Sequence, residues 1–374
     1  MYLLGCGIYF FFLNRRFYAY GLSEFFVDYS QGFSRRGITG GILNYLIEIN
    51  LITLQGFFNF LFFNYVLSLL IILLIIKNSS QRAKYGIWVF FLPSVLFFPI
   101  FDMNAFIRRD IFLVNGLLIH TLGCLAFRAG IWAVSGFTKF LKVISLPFAL
   151  FLTFVHEYQL LFFAVYFYLI WFSFFPAENR KFFIKNNSVY CVSYLVVLAF
   201  SFVMNLFSAV NNQKLGFNLG NMTTIGIREF SALSLFRKSP SEQVSWTIRI
   251  FDSGSWALYI LVLFVSVVAC GLLTNKTPRF IIRKENLLAL APFVLMFIGC
   301  DWGRWIHFLL LAWLCMCLLR ADDIRTDFYR IKFIGALFIT GLLSMIRLPH
   351  CCTVQVTEMF APAYILNILG FLPW

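Results

Sequence analysis

Apolar residues fill this chain in long runs, separated by short polar punctuation. A helix needs roughly 17–25 apolar residues to cross a hydrocarbon core. About eleven such runs can be placed on that criterion, near residues 2–20, 57–76, 86–101, 111–127, two within 143–176, 188–210, 256–273, 286–300, 305–319 and 333–347. The 143–176 run is too long for one crossing and is interrupted only at His156-Glu157, which predicts a tight hairpin turning there. A last segment near 356–372 carries Glu358 and Pro362 and is a doubtful twelfth. Between the first two runs, Ile38–Leu51 has a helical apolar period, with Asn44 and Glu48, four apart, making a polar stripe. That pattern predicts an amphipathic helix lying along the membrane interface.

The expected fold is therefore all-α: a polytopic transmembrane helical bundle forming one integral membrane domain over residues 1–374. An outward loop over 21–56 would contain the interfacial helix, and 211–255 would be a second, long outward loop. Composition agrees, with 61% hydrophobic and only 12% charged residues. Such a balance excludes a soluble domain of this length. No ten-residue alternation of the kind found in outer-membrane barrels is present. The first run resembles a signal-peptide core without a small-residue cleavage site after it, and reads as a retained span.

A formal net charge of +14 raises the question of nucleic acid. The basic residues lie mostly in short loops between spans, where membrane topology and anionic lipid account for them, and no nucleic-acid motif is found. The even-to-odd loops hold roughly seventeen of the thirty Lys and Arg in about half the loop length, which assigns them to the cytoplasm. Seven of the nine cysteines sit in or beside apolar runs, and Cys351-Cys352 are adjacent, a poor geometry for a mutual disulfide.

With that topology, the unusual polar residues all face outward. Asp28–Gly41 combines Asp28, Arg35 and Arg36 with four glycines; Asp102 precedes Arg108, Arg109 and Asp110; Asp301 precedes Arg304. His156-Glu157 is a fourth polar point, costly inside an apolar hairpin without a role. Carboxylate–arginine groupings at span ends suit a diphosphate-bearing substrate, because guanidinium forks match phosphate oxygens. On this reading Arg35, Arg36, Arg108, Arg109 and Arg304 bind diphosphate. Asp28, Glu157 and His156 carry the proton chemistry, and Asp102, Asp110 and Asp301 hold sugar hydroxyls. The alternative for Arg35, Arg36, Arg108 and Arg109 is a lipid-headgroup anchor, and for Asp28 an ion pair with Arg35 or Arg36. For Asp301 and Arg304, flanked by Trp302 and Trp305, it is an aromatic-belt turn closed by their own salt bridge. His120 and His307, within spans, read as packed core histidines.

No Walker loop, metal-spaced His/Cys cluster or nucleophile elbow is present. No cofactor is expected, with a divalent ion left open. The cytoplasmic loops are too short for a nucleotide-sugar domain, so any donor must arrive by membrane.

The layout resembles the polytopic GT-C-type glycosyltransferases and, in size and span number, the Wzy-type O-antigen polymerases. In GT-C enzymes an acidic residue follows the first span in a loop with interfacial helices; Asp28 and Ile38–Leu51 occupy those places. The arginine–glycine repeat described for many Wzy proteins is not clear here. The resemblance implies an inner-membrane transferase of bacteria, with its active face periplasmic. Its substrate would be polyprenyl-diphosphate-linked oligosaccharide, and its partners membrane lipids, a chain-length regulator and a flippase. The rival reading is a lipid-linked oligosaccharide flippase or other transporter, which would place charges at mid-membrane depth and show repeat symmetry.

Overall fold

The computed structural model describes residues 24–28, 37–79, 95, 108–156, 158–174, 184–185, 187–211, 216–217, 242, 244–245, 248, 254, 256–273, 301–319, 330–343, 346 and 348. Apart from Val95, the runs near 2–20, 86–101, 286–300 and 356–372 lie outside these residues, as do Arg35, Arg36, Asp102 and Glu157. The described architecture is helical: α1 (Gly37–Glu48), α2 (Leu54–Asn78), α3 (Asp110–Arg128), α4 (Val134–Val155), α5 (Gln159–Ser173), α6 (Ser188–Asn211), α7 (Trp256–Leu273), α8 (Trp302–Leu319) and α9 (Arg330–Leu343). Among them α2, α3, α4 and α8 are long and apolar enough to cross a membrane. The chain is a multi-pass membrane protein by that measure. Its elements fall into two compact units, residues 1–73 with 106–239, and 74–105 with 240–374.

Local chemistry explains the helix ends of the first unit. Asn50 adopts a left-handed backbone, φ 56°, and the Leu51 N–H turns back to the Leu46 carbonyl at 2.9 Å, closing α1. Thr53 then starts α2 by accepting the Gly56 N–H on its hydroxyl at 3.0 Å. Gly130, φ 72°, ends α3 while the Ile131 N–H bonds the Ala126 carbonyl.

The exposed faces identify the solvent. On α2, Phe60, Phe63, Leu70 and Leu73 are exposed, whereas Asn64 and Ser68 are buried. On α6, Val189, Val192, Leu195, Val196 and Val203 are exposed. Apolar outside and polar inside is the pattern expected where the surroundings are lipid. The buried amides satisfy one another between helices. Asn115 donates to the Asn64 side-chain oxygen at 3.1 Å, and the Ser68 hydroxyl donates to the Asn115 Oδ1 at 2.7 Å.

Helix α3 is the centre of the first unit and packs against both α4 and α5. Gly116 and Gly123, seven apart on one face, make this possible: a Cβ would overlap the Leu152 side chain at Gly116 and the Phe140 ring at Gly123. Helix α4 begins at Val134, earlier than the sequence-based start at 143, so Lys139 and Lys142 are helical rather than in a loop. Both are exposed, one turn apart, and their long stems let the charges reach the headgroups. A π turn over Leu141–Ser145 interrupts α4 just before Pro147, whose missing N–H and bulky ring strain a regular α-helix. The same turn points Ser145 at His120. The Ser145 hydroxyl donates to His120 Nδ1 at 2.8 Å, and Nε2–H donates to the Tyr166 carbonyl at 3.2 Å. His120 is a packed core histidine.

In the second unit, α7 packs against α8 and α9. Helix α8 is buried along its whole length, and its Trp302 meets Tyr259 of α7 edge-on, centroids 5.9 Å apart. It starts at Trp302, three residues before the apolar run read from sequence, so Arg304 lies inside the helix.

Candidate functional site

Three helix ends converge in the first unit: the start of α3, the end of α4 and the start of α5. The chain turns between α4 and α5 at His156, as the break in the 143–176 run predicts. His156 is extended, φ −157°, and the α5 backbone resumes with the Gln159 N–H on the His156 carbonyl at 3.1 Å. Two helix N-termini at one place supply partial positive charge there.

His156 is fully buried, and its ring is oriented from both sides. Its Nδ1 accepts the Tyr158 backbone N–H at 3.1 Å, which leaves the ring proton on Nε2. Nε2 faces the Asp110 Oδ1 at 3.7 Å, ion-pair range. The imidazole is thus a donor aimed at the carboxylate, and Asp110 is held in the first turn of α3, where the helix end favours a negative charge. The sequence assigned Asp110 to a sugar and His156 to proton chemistry without pairing them.

The neighbouring arginines face a short segment that precedes α1. Residues Glu24–Phe26 form a single 3-10 turn and continue into Val27–Asp28, here β1. Arg108 donates from Nη2 to Glu24 Oε1, and both side chains are buried. Arg109 is fully buried with its guanidinium 5.4 Å from the centroid of the Phe25 ring, a cation–π position. Both groups are too costly to bury unless partners surround them.

Asp28 is buried and accepts a hydrogen bond on Oδ2 from the Asn44 Nδ2 at 2.8 Å. Asn44 thus points inward, while Glu48 is exposed among Ile42, Tyr45 and Ile49. The two do not form the single outward polar stripe that their spacing suggested. Gly40 explains how α1 approaches so closely: a Cβ there would overlap the Val27 carbonyl. A two-residue antiparallel ladder then pins the segment, pairing Val27 with Phe217 and Asp28 with Gly216 of β2 (Gly216–Phe217). This ties the 21–56 loop to the 211–255 loop, a link with no sequence signal.

Asp301 and Arg304 belong to the second unit and pair locally, Nη1 donating to Oδ2 within the first turn of α8. Two residues of the first-unit cluster were missed from sequence, Glu24 and Gln159. Gln159 is fully buried at the start of α5, and among the described residues neither atom of its carboxamide has a hydrogen-bond partner. The available signals were Glu24 as a lone acid near a span end and Gln159 as the sole glutamine of the 143–176 run. Among the described residues no three His, Cys, Asp or Glu are grouped as a metal site.

Compared with protein-family models, with known proteins and with solved structures, the chain gives no match.

Proposed function

We propose that the protein is a membrane glycosyltransferase acting on polyprenyl-diphosphate-linked oligosaccharide, and that it polymerises a surface polysaccharide such as O-antigen. The observation that carries this reading is the buried cluster of Glu24, Asp28, Arg108, Arg109, Asp110 and His156 at one end of the α3–α4–α5 group. So many ionisable side chains at a span end are costly and mark a functional site by default. The topology of basic loops supports an inner-membrane location with this end periplasmic.

In the proposed reaction an acceptor hydroxyl oxygen attacks the anomeric carbon of a second oligosaccharide. The bond from that carbon to the diphosphate oxygen breaks, and polyprenyl diphosphate leaves. A carboxylate, Asp28 first and Glu157 as its alternative, takes the hydroxyl proton. Arg108 and Arg109 hold the developing diphosphate charge; each guanidinium has five donors, so Arg108 serves Glu24 and a phosphate oxygen together. Asp110, oriented by His156, holds a sugar hydroxyl. Arg35, Arg36 and Asp102 retain their proposed binding roles, whereas Asp301 and Arg304 pair with each other at the start of α8 and take no part in the proposed reaction. The scheme needs no cofactor.

A flippase is less well supported. In the first unit the mid-span polar groups Asn64, Ser68, Asn115, Thr121 and His120 are uncharged types or histidine and bond to helices or one another. The test is deletion of the gene in its source organism, with surface polysaccharide resolved by gel and complementation by wild type, Asp28→Asn and Arg108→Ala. A deletion strain carrying single repeat units, restored to a ladder by wild type alone, is the expected result. Lipid-linked units retained inside the cell would favour a flippase, and an unchanged profile would sink both readings.

A further inference from the structure

We propose that Gln159 is a sugar-binding residue of this site, reading a group that presents a donor and an acceptor side by side. The inference rests on the glycosyl-transfer reading and names one of its specificity contacts. Gln159 has no exposed surface, and among the described residues no partner meets either its Nε2 or its Oε1. Its backbone N–H bonds the His156 carbonyl at 3.1 Å, so it starts α5 one turn from the His156–Asp110 pair.

A buried carboxamide is normally satisfied on both atoms. Other buried amide and imidazole side chains of the first unit find partners: Asn44 bonds Asp28, Asn115 bonds Asn64, and His120 bonds Ser145 and the Tyr166 carbonyl. Gln159 is unlike the unpartnered Tyr194 hydroxyl, whose ring sits within a span against Phe163 and Tyr190. Its place is the charged helix end.

An amide donor and an amide acceptor, fixed about 2.2 Å apart by covalent geometry, match two ligand groups. One is the acetamido N–H of an amino sugar together with its neighbouring hydroxyl, the N–H donating to Oε1 while the hydroxyl oxygen accepts from Nε2. The other is a pair of neighbouring hydroxyls. A site built to hydrogen-bond a ligand group rejects analogues that lack it, because its own buried groups are then left unpaired. Gln159 would therefore select among sugars rather than hold the lipid diphosphate.

The test uses full-length protein in detergent with three probes: polyprenyl diphosphate, its N-acetylglucosamine conjugate and its glucose conjugate. Affinities are read for wild type, Gln159→Leu and Gln159→Met, with the ligand-free melting temperature of each as a folding control. The expected result is that wild type binds a sugar-bearing lipid at least about tenfold more tightly than the bare lipid diphosphate, two hydrogen bonds being worth that much. Both variants lose this gain, keep the affinity for bare lipid diphosphate, and melt at or above wild type. A gain confined to the N-acetylglucosamine conjugate assigns the acetamido group; an equal gain for both conjugates assigns the hydroxyl pair. If wild type shows the gain and Gln159→Leu or Gln159→Met retains it, buried water serves the amide and this assignment falls alone. If wild type binds none of the three lipids, the glycosyl-transfer reading falls and takes the assignment with it.

Discussion

Two helix starts look alike in sequence and differ in structure. Helix α3 opens on Arg108-Arg109-Asp110, and α8 opens after Asp301 with Arg304 one turn on. Each combines a carboxylate and an arginine at a span end. At α8 the pair closes on itself, three residues apart, and Asp301 keeps partial exposure of 19%. At α3 the partners are distant: Arg108 reaches Glu24, 84 residues back, and Asp110 faces His156 across two helices. A local pair can form in an isolated helix and fixes little else. A long-range pair exists only when the fold is made, so it couples the site to the packing around it. Spacing along a chain cannot distinguish the two cases, because both satisfy the same short-range pattern.

The sharpest way to break the α3 side is to remove the support beneath it. Gly40→Ala pushes a Cβ into the Val27 carbonyl and must displace the Glu24–Asp28 segment, whereas Gly41→Ala meets nothing within 4 Å. Gly40→Ala should abolish the monodisperse peak in detergent size-exclusion chromatography. Gly41→Ala should be neutral or stabilising by up to about 1 kcal/mol, the usual gain for alanine in a helix.

The next effect belongs to the long-range pair. Arg108→Met leaves Glu24 without its buried counter-charge and should destabilise by about 3–5 kcal/mol. Combining it with Glu24→Gln should recover much of that loss in thermal melts, since no buried charge then stands alone. A double variant no better than the single would show that the two side chains do not act as a pair.

A smaller change is expected in the neutral network. Asn115→Ala removes hydrogen bonds between α2 and α3 that in membranes are worth about 0.6–2 kcal/mol each. It should lower the melting temperature modestly and leave surface polysaccharide intact. Asp301→Asn removes the charge opposite the buried Arg304 but keeps an accepting oxygen at a partly exposed position, and should lower the melting temperature by less than Arg108→Met does.

Much of the fold was legible because lipid imposes long apolar runs. The limits of α7 match the run read as 256–273, and the His156 break marks the turn between α4 and α5. The start of α4 was not, because Lys139 and Lys142 imitate a loop while their stems keep the helix going. Site chemistry was legible only as residue types. Asp110 and His156 were singled out, but their pairing requires α4 to fold back so that α5 starts beside the start of α3 and runs parallel to it. Glu24 carried no nearby arginine to announce it. Asn44 read as half of a polar stripe with Glu48, and only the approach of α1 onto β1, opened by Gly40, turns it to Asp28. A ladder of two residues is below any periodicity that a sequence displays.

The most direct measurement compares Asp110→Asn with Asp301→Asn in membranes supplied with lipid-linked repeat units, with lipid extracts read by mass spectrometry. Wild type and Asp301→Asn should yield glycans of doubled repeat mass together with free polyprenyl diphosphate. Asp110→Asn, at matched protein level and with a wild-type melting profile, should yield little of either. Elongation by Asp110→Asn at the wild-type rate would contradict the assignment of the reaction to the α3–α4–α5 cluster.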